Sequence, residues 1–298
     1  MLSICIPVYN VDVRALAAAL NKQFEQSGIT GEVIVLDDGS ADNIRTVNRP
    51  LKQLPYVRYY EQENKGRAAT RNRLGHYARY QKILFIDGDC MVSNGFVQSY
   101  AQPNVIKLPL VIGRLAYGER PQKRSLRLRW NYGRKREARI KYDRHSVSFL
   151  SSNFMIDAEL FRRIQFDERI KGYGNEDTLF GIQLRLRQIV FQQIDNKVIH
   201  LGLEPAPVFL AKTRESLNNL WNIYCFTNSK ALEKHKAIKL LKASMPAPVI
   251  HSMAALFIIF NKALAYFLEA IYPSILLFDL YKLLYLFRLK TQIVNKKQ

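Results

Sequence analysis

The chain has 298 residues, 48% of them hydrophobic and 23% charged, which excludes a disordered protein and allows one large domain with an appendage. Its net charge of +20 predicts an anionic partner, such as nucleic acid, a phospholipid surface, a nucleotide-sugar or an acidic polymer. The three cysteines show neither disulfide nor metal-type spacing, which is typical of a reducing compartment. The N-terminus lacks a basic region followed by a long apolar run, so no signal peptide is expected.

The first 90 residues alternate between apolar strands and amphipathic helices. The predicted elements are a strand at 2–8, a helix at 12–24, strands at 32–36 and 57–60, a helix at 68–80 and a strand at 83–86. This order predicts an α/β fold with a doubly wound, mostly parallel sheet and flanking helices. Because the crossovers of such a sheet are right-handed, the C-terminal ends of the strands should lie at one edge.

Three of the predicted strands are followed at once by polar side chains. They are Tyr9 and Asn10 after the first strand, Asp37 and Asp38 after the second, and Asp87 and Asp89 after the last. Three such clusters at one sheet edge predict a nucleotide-sized pocket, whose carboxylates accept hydrogen bonds from a base or ribose and hold a divalent cation. Taken alone, I-L-F-I-D-G-D-C at 83–90 is also the pattern of a buried strand followed by an Asp-Gly turn.

A basic segment, N-K-G-R-A-A-T-R-N at 64–72, adds positive charge beside this edge. Arg71 is the residue that we expect to contact the nucleotide, followed by Lys65 and Arg67. The alternative is a solvated basic helix start, since runs of charge are usually solvated.

Four segments resemble, in order and spacing, the donor-binding half of family 2 glycosyltransferases. They are S-I-C-I-P-V-Y-N, V-I-V-L-D-D-G-S, N-K-G-R-A-A-T-R-N and F-I-D-G-D-C. The resemblance covers about residues 1–205 and implies a GT-A fold, a nucleotide-diphospho-sugar donor and a divalent metal, Mn²⁺ or Mg²⁺. Thr70 departs from the family pattern, because it stands where alanine is usual.

The resemblance also implies roles for individual residues. The strand end at Pro7 and Tyr9 would hold the nucleobase together with Asp38, whose neighbour is Asp37. Arg71 would contact the nucleotide. Asp87 would lie near the ribose and the metal, and Asp89 would bind the metal.

The stretch F-D-E-R-I-K-G-Y-G-N-E-D-T-L-F-G at 166–181 places a glycine-containing loop before Glu176 and Asp177. A helix should begin at this acidic pair, where its dipole favours ionised carboxylates. The stretch resembles the G-W-G-x-E-D segment of galactosyltransferase-type C-terminal subdomains and of bacterial chondroitin-polymerase-like domains. The resemblance implies that Asp177 is the general base of an inverting transfer and that Glu176 helps to hold the acceptor. The alternative is a helix N-cap, because acidic residues are favoured there regardless of chemistry.

Two single residues have roles implied only by the resemblance. Tyr173 stands where many relatives have tryptophan, which keeps a ring for stacking on a sugar. His200 would complete the metal site opposite Asp89, and imidazole suits Mn²⁺ better than Mg²⁺. The alternative for His200 is a structural role, which is the commoner fate of a lone histidine.

A basic stretch at 114–144 contains twelve Lys and Arg residues against three acidic ones, with Trp130, Tyr132 and Tyr142 among them. It shows no helix-turn-helix, zinc or RNA-recognition signature, and nucleic-acid binding is therefore not expected. An anionic acceptor, acidic lipid headgroups or a solvated basic helix would each account for this charge.

The C-terminal region differs in composition. Residues 213–242 read as a helix. Residues 247–289 are apolar and aromatic but interrupted by Asn261, Lys262 and Glu269, so this stretch contains no uncharged run of 18 residues. Two amphipathic helices broken near Pro273 are expected. They are predicted to lie on an anionic membrane surface, with packing on the domain or formation of a homodimer as alternatives.

These observations predict a GT-A domain at 1–205 and a helical, membrane-associating or dimerising extension at 206–298. Within the domain, 1–110 would bind the nucleotide-sugar and 145–205 would form the acceptor and catalytic half. The expected function is inverting, metal-dependent transfer of a hexose or N-acetylhexosamine from a UDP-sugar to a saccharide or lipid-linked saccharide, in cell-surface polysaccharide synthesis. A galactose-type sugar is favoured, and UDP and the sugar both follow from the resemblance.

The expected location is the cytoplasm, peripheral on the inner face of the cell membrane. The alternative function is a non-catalytic protein that binds a membrane or an anionic polymer and keeps a decayed nucleotide-binding fold.

Overall fold

The computed structural model describes residues 1–140, 149–227 and 229–295. It consists of two compact units. The first contains Met1–Gly118, Ile140–Arg169 and Glu176–Gly202, and the second contains Glu119–Arg139, Ile170–Asn175 and Leu203–Gln298. Tyr142, with the end of the basic stretch, and residues 145–148, with the start of the predicted acceptor half, lie outside the described residues.

The first unit is built on eight strands: β1 Leu2–Val8, β2 Gly31–Asp38, β3 Val57–Gln62, β4 Lys82–Ile86, β5 Cys90–Val92, β6 Leu110–Tyr117, β7 Asn153–Asp157 and β8 Gln192–His200. Its α-helices are α1 Arg14–Ser27, α2 Asp42–Asn48, α3 Arg67–Tyr77, α4 Phe96–Ala101, α5 Pro103–Ile106, α7 Ala158–Ile164 and α8 Glu176–Leu186. The second unit contains α6 Arg127–Lys135, α9 Ala206–Thr227, α10 Lys236–Lys242, α11 Ala247–Tyr266 and α12 Ile275–Asn295.

The eight strands form one mixed sheet in the order β3-β2-β1-β4-β7-β6-β8-β5. The block β3-β2-β1-β4 is parallel, as expected for strands joined by helical crossovers. Beyond it, β7 runs antiparallel to β4 and β6, and β5 runs antiparallel to β8. Between the two antiparallel pairs β7–β6 and β8–β5, β6 and β8 pair in parallel. The predicted α/β class with flanking helices is confirmed, and the antiparallel pairs are an addition that the sequence patterns did not indicate.

Side chains alternate across β1 between the two layers of the core. Ile4 and Ile6 are fully buried on the side that α1 covers, with Leu20 of that helix. Cys5 points the other way, where its thiol lies 3.6 Å from the carbonyl oxygen of Leu74 in α3. Burial removes each of these aliphatic side chains from water, which is worth about 1.5–3 kcal/mol apiece. The central strands are therefore rigid supports for the residues at their C-terminal ends.

Several predicted boundaries differ from the structure, and two of the differences bear on the candidate site. Strand β2 continues beyond Leu36, so that Asp37 and Asp38 are its last two residues and pair with Glu61 and Gln62 of β3. Helix α3 begins at Arg67 and ends at Tyr77, three residues before the predicted end, because the next residue is extended. The aspartates are thus held by a ladder of backbone hydrogen bonds.

The second unit is helical and has its own core. The predicted helix at 213–242 consists of two helices, α9 and α10, whereas the predicted break near Pro273 is confirmed between the π-helical turn Phe267–Ile271 and α12. Tyr132 of the basic stretch packs on Phe209 and Phe278, with ring centroids 5.4 and 5.5 Å away. Tyr132 is therefore part of a hydrophobic core.

Among the described residues, one helical segment is long and apolar enough to cross a membrane, judged by length and composition alone. It is Ala247–Ile271, with a mean hydropathy of 1.7 over an 18-residue window of which 17% is buried. The expectation that this segment lies on a membrane surface instead of spanning it stays a prediction.

Candidate functional site

The loops that follow β1 and β2 are tied together by Asn10. Its backbone N–H donates to Ser40 Oγ at 2.7 Å, and its side-chain Oδ1 accepts from the backbone N–H of Ala41 at 2.8 Å. Asn10 has a φ of 54°, in the left-handed region that asparagine tolerates. Pro7 is half-buried within β1, while Tyr9 is 56% exposed. This geometry presents the Tyr9 ring to solvent beside the sheet edge.

Both aspartates of the D-D-G-S motif are buried and engaged within the protein. Asp37 Oδ1 accepts from the backbone N–H of Ser40 at 2.7 Å, and its Oδ2 lies 3.4 Å from the Tyr59 hydroxyl. Burial raises the pKa of Tyr59, and the negative charge of Asp37 raises it further. Asp37 therefore shapes the turn after β2.

Asp38 fixes the loop that leads into α3. Its two oxygens accept from the backbone N–H groups of Lys65 and Gly66 at 2.8 and 2.9 Å, and the Gln62 side chain donates to it at 2.6 Å. The Lys65 side chain is exposed, with its Nζ 3.6 Å from Glu63 Oε2. A nucleobase contact by Asp38 stays a prediction, and it would use an oxygen that already holds this loop.

Arg71 joins the end of β4 to the start of α8. Arg71 is 3% exposed, and its guanidinium donates to Asp87 Oδ1 at 2.7 Å and to Glu176 Oε1 at 3.4 Å. The guanidinium carbon also lies 5.4 Å from the ring centroid of Phe166. Arg71 and Asp87 were predicted in the half that binds the nucleotide-sugar, and Glu176 in the acceptor and catalytic half. The structure brings these three residues together.

Asn72 holds the segment at 166–168, a role that the sequence patterns do not indicate. Its Nδ2 donates to the carbonyl oxygen of Phe166 at 2.9 Å and to Glu168 Oε1 at 2.8 Å, and its Oδ1 accepts from the Phe166 N–H at 2.8 Å. These bonds fasten the segment that contains Phe166 to α3. The signal that singles out Asn72 is its place in the motif, directly after Arg71.

Asp177 has a protonation equilibrium close to neutral pH. Its side chain is partly exposed yet densely surrounded. Burial, followed by the charge of Glu176, raises the pKa of Asp177 to about 7, while the Thr178 N–H and the charge of Arg71 act to lower it. A carboxylate with such a pKa suits general base catalysis, because it can accept a proton near neutral pH.

Asp89 and His200 are brought together by the pairing of β5 with β8. Cys90 pairs with His200 in this ladder, the Leu201 N–H donates to the Asp89 carbonyl at 2.8 Å, and Asp89 Oδ2 lies 3.5 Å from His200 Nε2. The Tyr117 ring stacks on the imidazole at 5.3 Å between centroids. Asp87, the third predicted ligand, is turned toward Arg71.

The donor set at Asp89 and His200 fits a divalent metal of the Mn²⁺ type, which accepts both carboxylate oxygen and imidazole nitrogen. The glycine at position 202 leaves space beside the Asp89 carboxylate, because a Cβ at this position would lie 2.2 Å from Asp89 Oδ2. Within residues 1–140, 149–227 and 229–295, no three His, Cys, Asp or Glu side chains are gathered as metal ligands.

The glycine-containing loop before α8 belongs to the second unit, where α9 holds it. The Tyr173 N–H donates to Glu215 Oε1 at 2.7 Å, and the Asn175 side chain donates to the Ser216 carbonyl at 2.7 Å. Gly174 has a φ of 91°, and a Cβ there would lie 2.9 Å from Ser216 Oγ. Lys212 Nζ lies 5.0 Å from the Tyr173 ring centroid, which is within the range of a cation–π contact.

Comparisons with known proteins agree on a single family. The family described as Glycosyl transferase family 2 matches residues 3–165. Chondroitin synthase from Escherichia coli is 26% identical in an alignment of 236 positions, which covers 67% of this chain and 34% of the synthase. Glycosyltransferase GlyG from Streptococcus pneumoniae serotype 4 is 30% identical over 116 residues, which are 38% of each chain. The chain thus spans about a third of the length of these relatives.

A solved structure with a similar fold is the mannosyltransferase PcManGT from Pyrobaculum calidifontis in complex with GDP-Man and Mn²⁺. The TM-score is 0.54 at 14% identity, over 97% of this chain and 85% of that one. The predicted GT-A fold is confirmed. With a family match that covers more than half of its residues, the chain belongs to glycosyl transferase family 2.

Proposed function

We propose that the protein is an inverting glycosyltransferase. It transfers a hexose or N-acetylhexosamine, with a galactose-type sugar favoured, from a UDP-sugar to a saccharide or lipid-linked saccharide in cell-surface polysaccharide synthesis. The observation that carries the proposal is the bridge from Asp87 through Arg71 to Glu176. It joins the candidate donor site to α8, whose second residue is the candidate base Asp177, in a chain of this family.

Each proposed role follows from the chemistry of the side chain. Asp177 takes the proton of the acceptor hydroxyl as that oxygen attacks the anomeric carbon from the face opposite the nucleotide, which inverts the configuration. Glu176 orients the acceptor. Tyr9 and Asp38 contact the nucleobase, and Arg71, with Lys65 and Arg67 beside it, contacts the nucleotide.

Asp89 and His200, with Asp87, are the residues proposed to hold Mn²⁺ or Mg²⁺. When bound, such a metal neutralises charge on the departing nucleotide diphosphate. The space left by Gly202 and the mixed oxygen and nitrogen donor set support this assignment.

A donor screen with the full chain tests the proposal. UDP- and GDP-sugars are compared by thermal shift with Mn²⁺ or Mg²⁺, and hydrolysis of the donor that stabilises most is then measured. We expect a UDP-sugar to be preferred and Asp89→Ala to lose at least tenfold in metal-dependent hydrolysis. Asp195→Ala is the control, because its exposed carboxylate pairs with the surface cations Arg114 and Lys197.

The outcomes separate the proposed roles. Equal hydrolysis by wild type and Asp89→Ala would refute the metal assignment. Full transfer by Asp177→Asn would refute the base assignment. Binding of a nucleotide-sugar without turnover under any condition would favour the alternative of a decayed, non-catalytic fold.

We further propose that the second unit rests on the inner surface of an anionic membrane. Large apolar side chains of α11, of the turn that follows it and of the start of α12 are exposed, from 40% to 80% of their surface. They are Leu256, Ile258, Ile259, Phe260, Tyr266, Phe267, Ile271, Tyr272 and Leu276. An apolar surface of this extent marks an interaction site. A homodimer through the same face is the competing outcome.

A further inference from the structure

Helices α9, α11 and α12 line a cavity of about 290 Å³ within the second unit, and this cavity is open to solvent on one side. It is lined by Arg214, Phe257, Asn261, Tyr285, Arg288 and Gln292. Two guanidiniums, two side-chain amides and two aromatic rings therefore share one concave site. None of these residues belongs to the candidate active site.

Among the described residues, the two guanidiniums contact aromatic side chains and pair with no carboxylate. Arg214 donates to the Tyr281 hydroxyl, and the Arg288 guanidinium carbon lies 5.8 Å from the Phe257 ring centroid. In the part of the chain that the structure describes, neither arginine forms an ion pair. Burial raises the pKa of Tyr281, whereas the charges of Arg214 and Arg288 each act to lower it, so both cations lie close to one hydroxyl.

The acidic residues of the surrounding helices are engaged elsewhere. Asp279 of α12 pairs with Arg136 and Lys282, Glu215 of α9 accepts from the Tyr173 N–H, and α11 contains no acidic residue. Two partly buried cations that share a cavity repel each other and are costly to desolvate. An anion in this cavity would relieve both costs.

We infer that this cavity binds a phosphoryl group. A phosphate ester carries a charge of about −1.5 to −2 and three strong acceptor oxygens, which match two guanidiniums better than the single charge of a carboxylate does. The planar fork of arginine donates two parallel hydrogen bonds to such oxygens. Asn261 and Gln292 supply further N–H donors, and Phe257 and Tyr285 provide apolar walls.

The phosphoryl group has two possible sources, a soluble phosphate compound or a lipid headgroup. Phe257 and Asn261 lie on the packed face of α11, while Ile259 and Phe260 are exposed. A helix is about 10 Å wide, so a helix lying with its apolar face in the acyl region presents its opposite face near headgroup level. The lipid source rests on the proposed membrane association, whereas phosphoryl binding does not.

The test measures binding of the full chain in two arms. The soluble arm follows thermal stabilisation by inorganic pyrophosphate and by glycerol 3-phosphate, with glucuronate as the carboxylate comparison at matched ionic strength. The vesicle arm measures flotation with phosphatidylcholine vesicles with and without phosphatidic acid. We expect Arg214→Gln/Arg288→Gln to weaken binding at least tenfold in the arm that contains the natural source.

Lys236→Gln/Lys239→Gln is the matched control. It also removes two positive charges, but from exposed positions on α10. The variant therefore reproduces the loss of net charge and leaves the cavity unchanged. Gln292→Glu is the second test variant, because it keeps the size of an exposed side chain and adds a negative charge at the cavity. If the double arginine variant does not fold, the binding measured with Gln292→Glu tests whether the cavity holds an anion.

Each outcome has a defined meaning. Loss of binding in the soluble arm alone assigns a free phosphate compound, and loss in the vesicle arm assigns a lipid headgroup. Binding that is equal in the arginine variant, Gln292→Glu and the lysine control overturns the inference, as does a preference for glucuronate. Hydrolysis of UDP-sugar should be unchanged in all of these variants, so failure of this site is distinguishable from failure of the proposed transferase.

Discussion

Arg71 balances two carboxylates that approach it from different parts of the first unit. Because Asp87 and Glu176 would remain without their buried counter-ion, we expect Arg71→Ala to lower the free energy of unfolding by about 3–5 kcal/mol. Urea unfolding checks this value. Arg73→Ala is the control on the same helix, where an exposed arginine should cost no more than about 0.5 kcal/mol. Equal losses in the two variants would contradict the bridging role.

Asp177 should make the protein less stable as the pH rises. Its pKa in the folded state is about 7, above the ordinary value of 3.8, so the favourable contribution of the protonated form is complete below about pH 4 and is lost as the pH rises through 7. We expect Asp177→Asn to equal wild type in stability at pH 4 and to exceed it at pH 8. The difference should reach a few kcal/mol at most, since one pKa unit corresponds to about 1.4 kcal/mol.

Urea unfolding of both proteins from pH 4 to pH 8 measures this difference. Asp167→Asn provides a control of opposite sign, because hydrogen bonding to Arg169 lowers the pKa of Asp167. That variant should be less stable than wild type by a nearly constant amount from pH 8 down to pH 4, because the contribution of a carboxylate with a lowered pKa is lost only as the pH falls below its ordinary value of 3.8. A stability difference for Asp177→Asn that does not vary with pH would contradict the raised pKa.

Sequence patterns located these acidic residues but not their partners. Asp87 and Asp89 were found because apolar strands end in front of them, which is a local signal. The bond between Arg71 and Glu176 joins residues 105 positions apart, and no local pattern specifies it. The same holds for Asp38, whose contacts with the loop at 65–66 depend on how that loop folds back.

At the level of elements, one lysine fastens α10 to α12. Lys290 is 4% exposed, and its Nζ donates to the carbonyl oxygens of Leu240, Leu241 and Ala243 at 2.9, 3.0 and 2.5 Å. These carbonyls lie at the C-terminal end of α10, where helical partners are missing and a cation interacts well with the dipole.

We expect Lys290→Met to destabilise the second unit by about 1–3 kcal/mol, because it keeps the aliphatic stem but leaves buried acceptors without a donor. Thermal and urea unfolding measure the effect. Lys239→Met, on the exposed face of α10, should have almost no effect. The capping role would be refuted if both variants unfolded together with wild type.

Strand directions separate what the sequence could predict from what it could not. The parallel block β3-β2-β1-β4 followed from alternating strands and helices, because such connections have one hand. The position of His200 beside Asp89 depends on the antiparallel register of β8 with β5, in which Cys90 faces His200. Register between strands so far apart in sequence is set by packing of the whole sheet.

For the whole molecule, part of the net charge of +20 lies beside the exposed apolar surface of the second unit. Arg120, Lys123 and Arg124 are exposed, and Arg124 donates to the carbonyl of Ala270 at 3.4 Å, next to the exposed apolar side chains of α11. Cations beside an apolar surface are typical of proteins that bind anionic lipid, where each adds about 1 kcal/mol. Membrane binding should therefore weaken as salt rises, because exposed charges are screened.

The apolar face itself provides the sharpest test of membrane association. Ile258, Ile259 and Phe260 are from 49% to 67% exposed. Full removal of one such side chain from water is worth about 1.5–3 kcal/mol. We expect the triple substitution to serine to reduce flotation with anionic vesicles at least tenfold, since about 1.4 kcal/mol is already a factor of ten. The control is Leu186→Ser/Val190→Ser, which removes exposed apolar side chains from the first unit. If the serine variant floats like wild type but sediments as a smaller species, the face is a dimer interface and the membrane proposal is wrong.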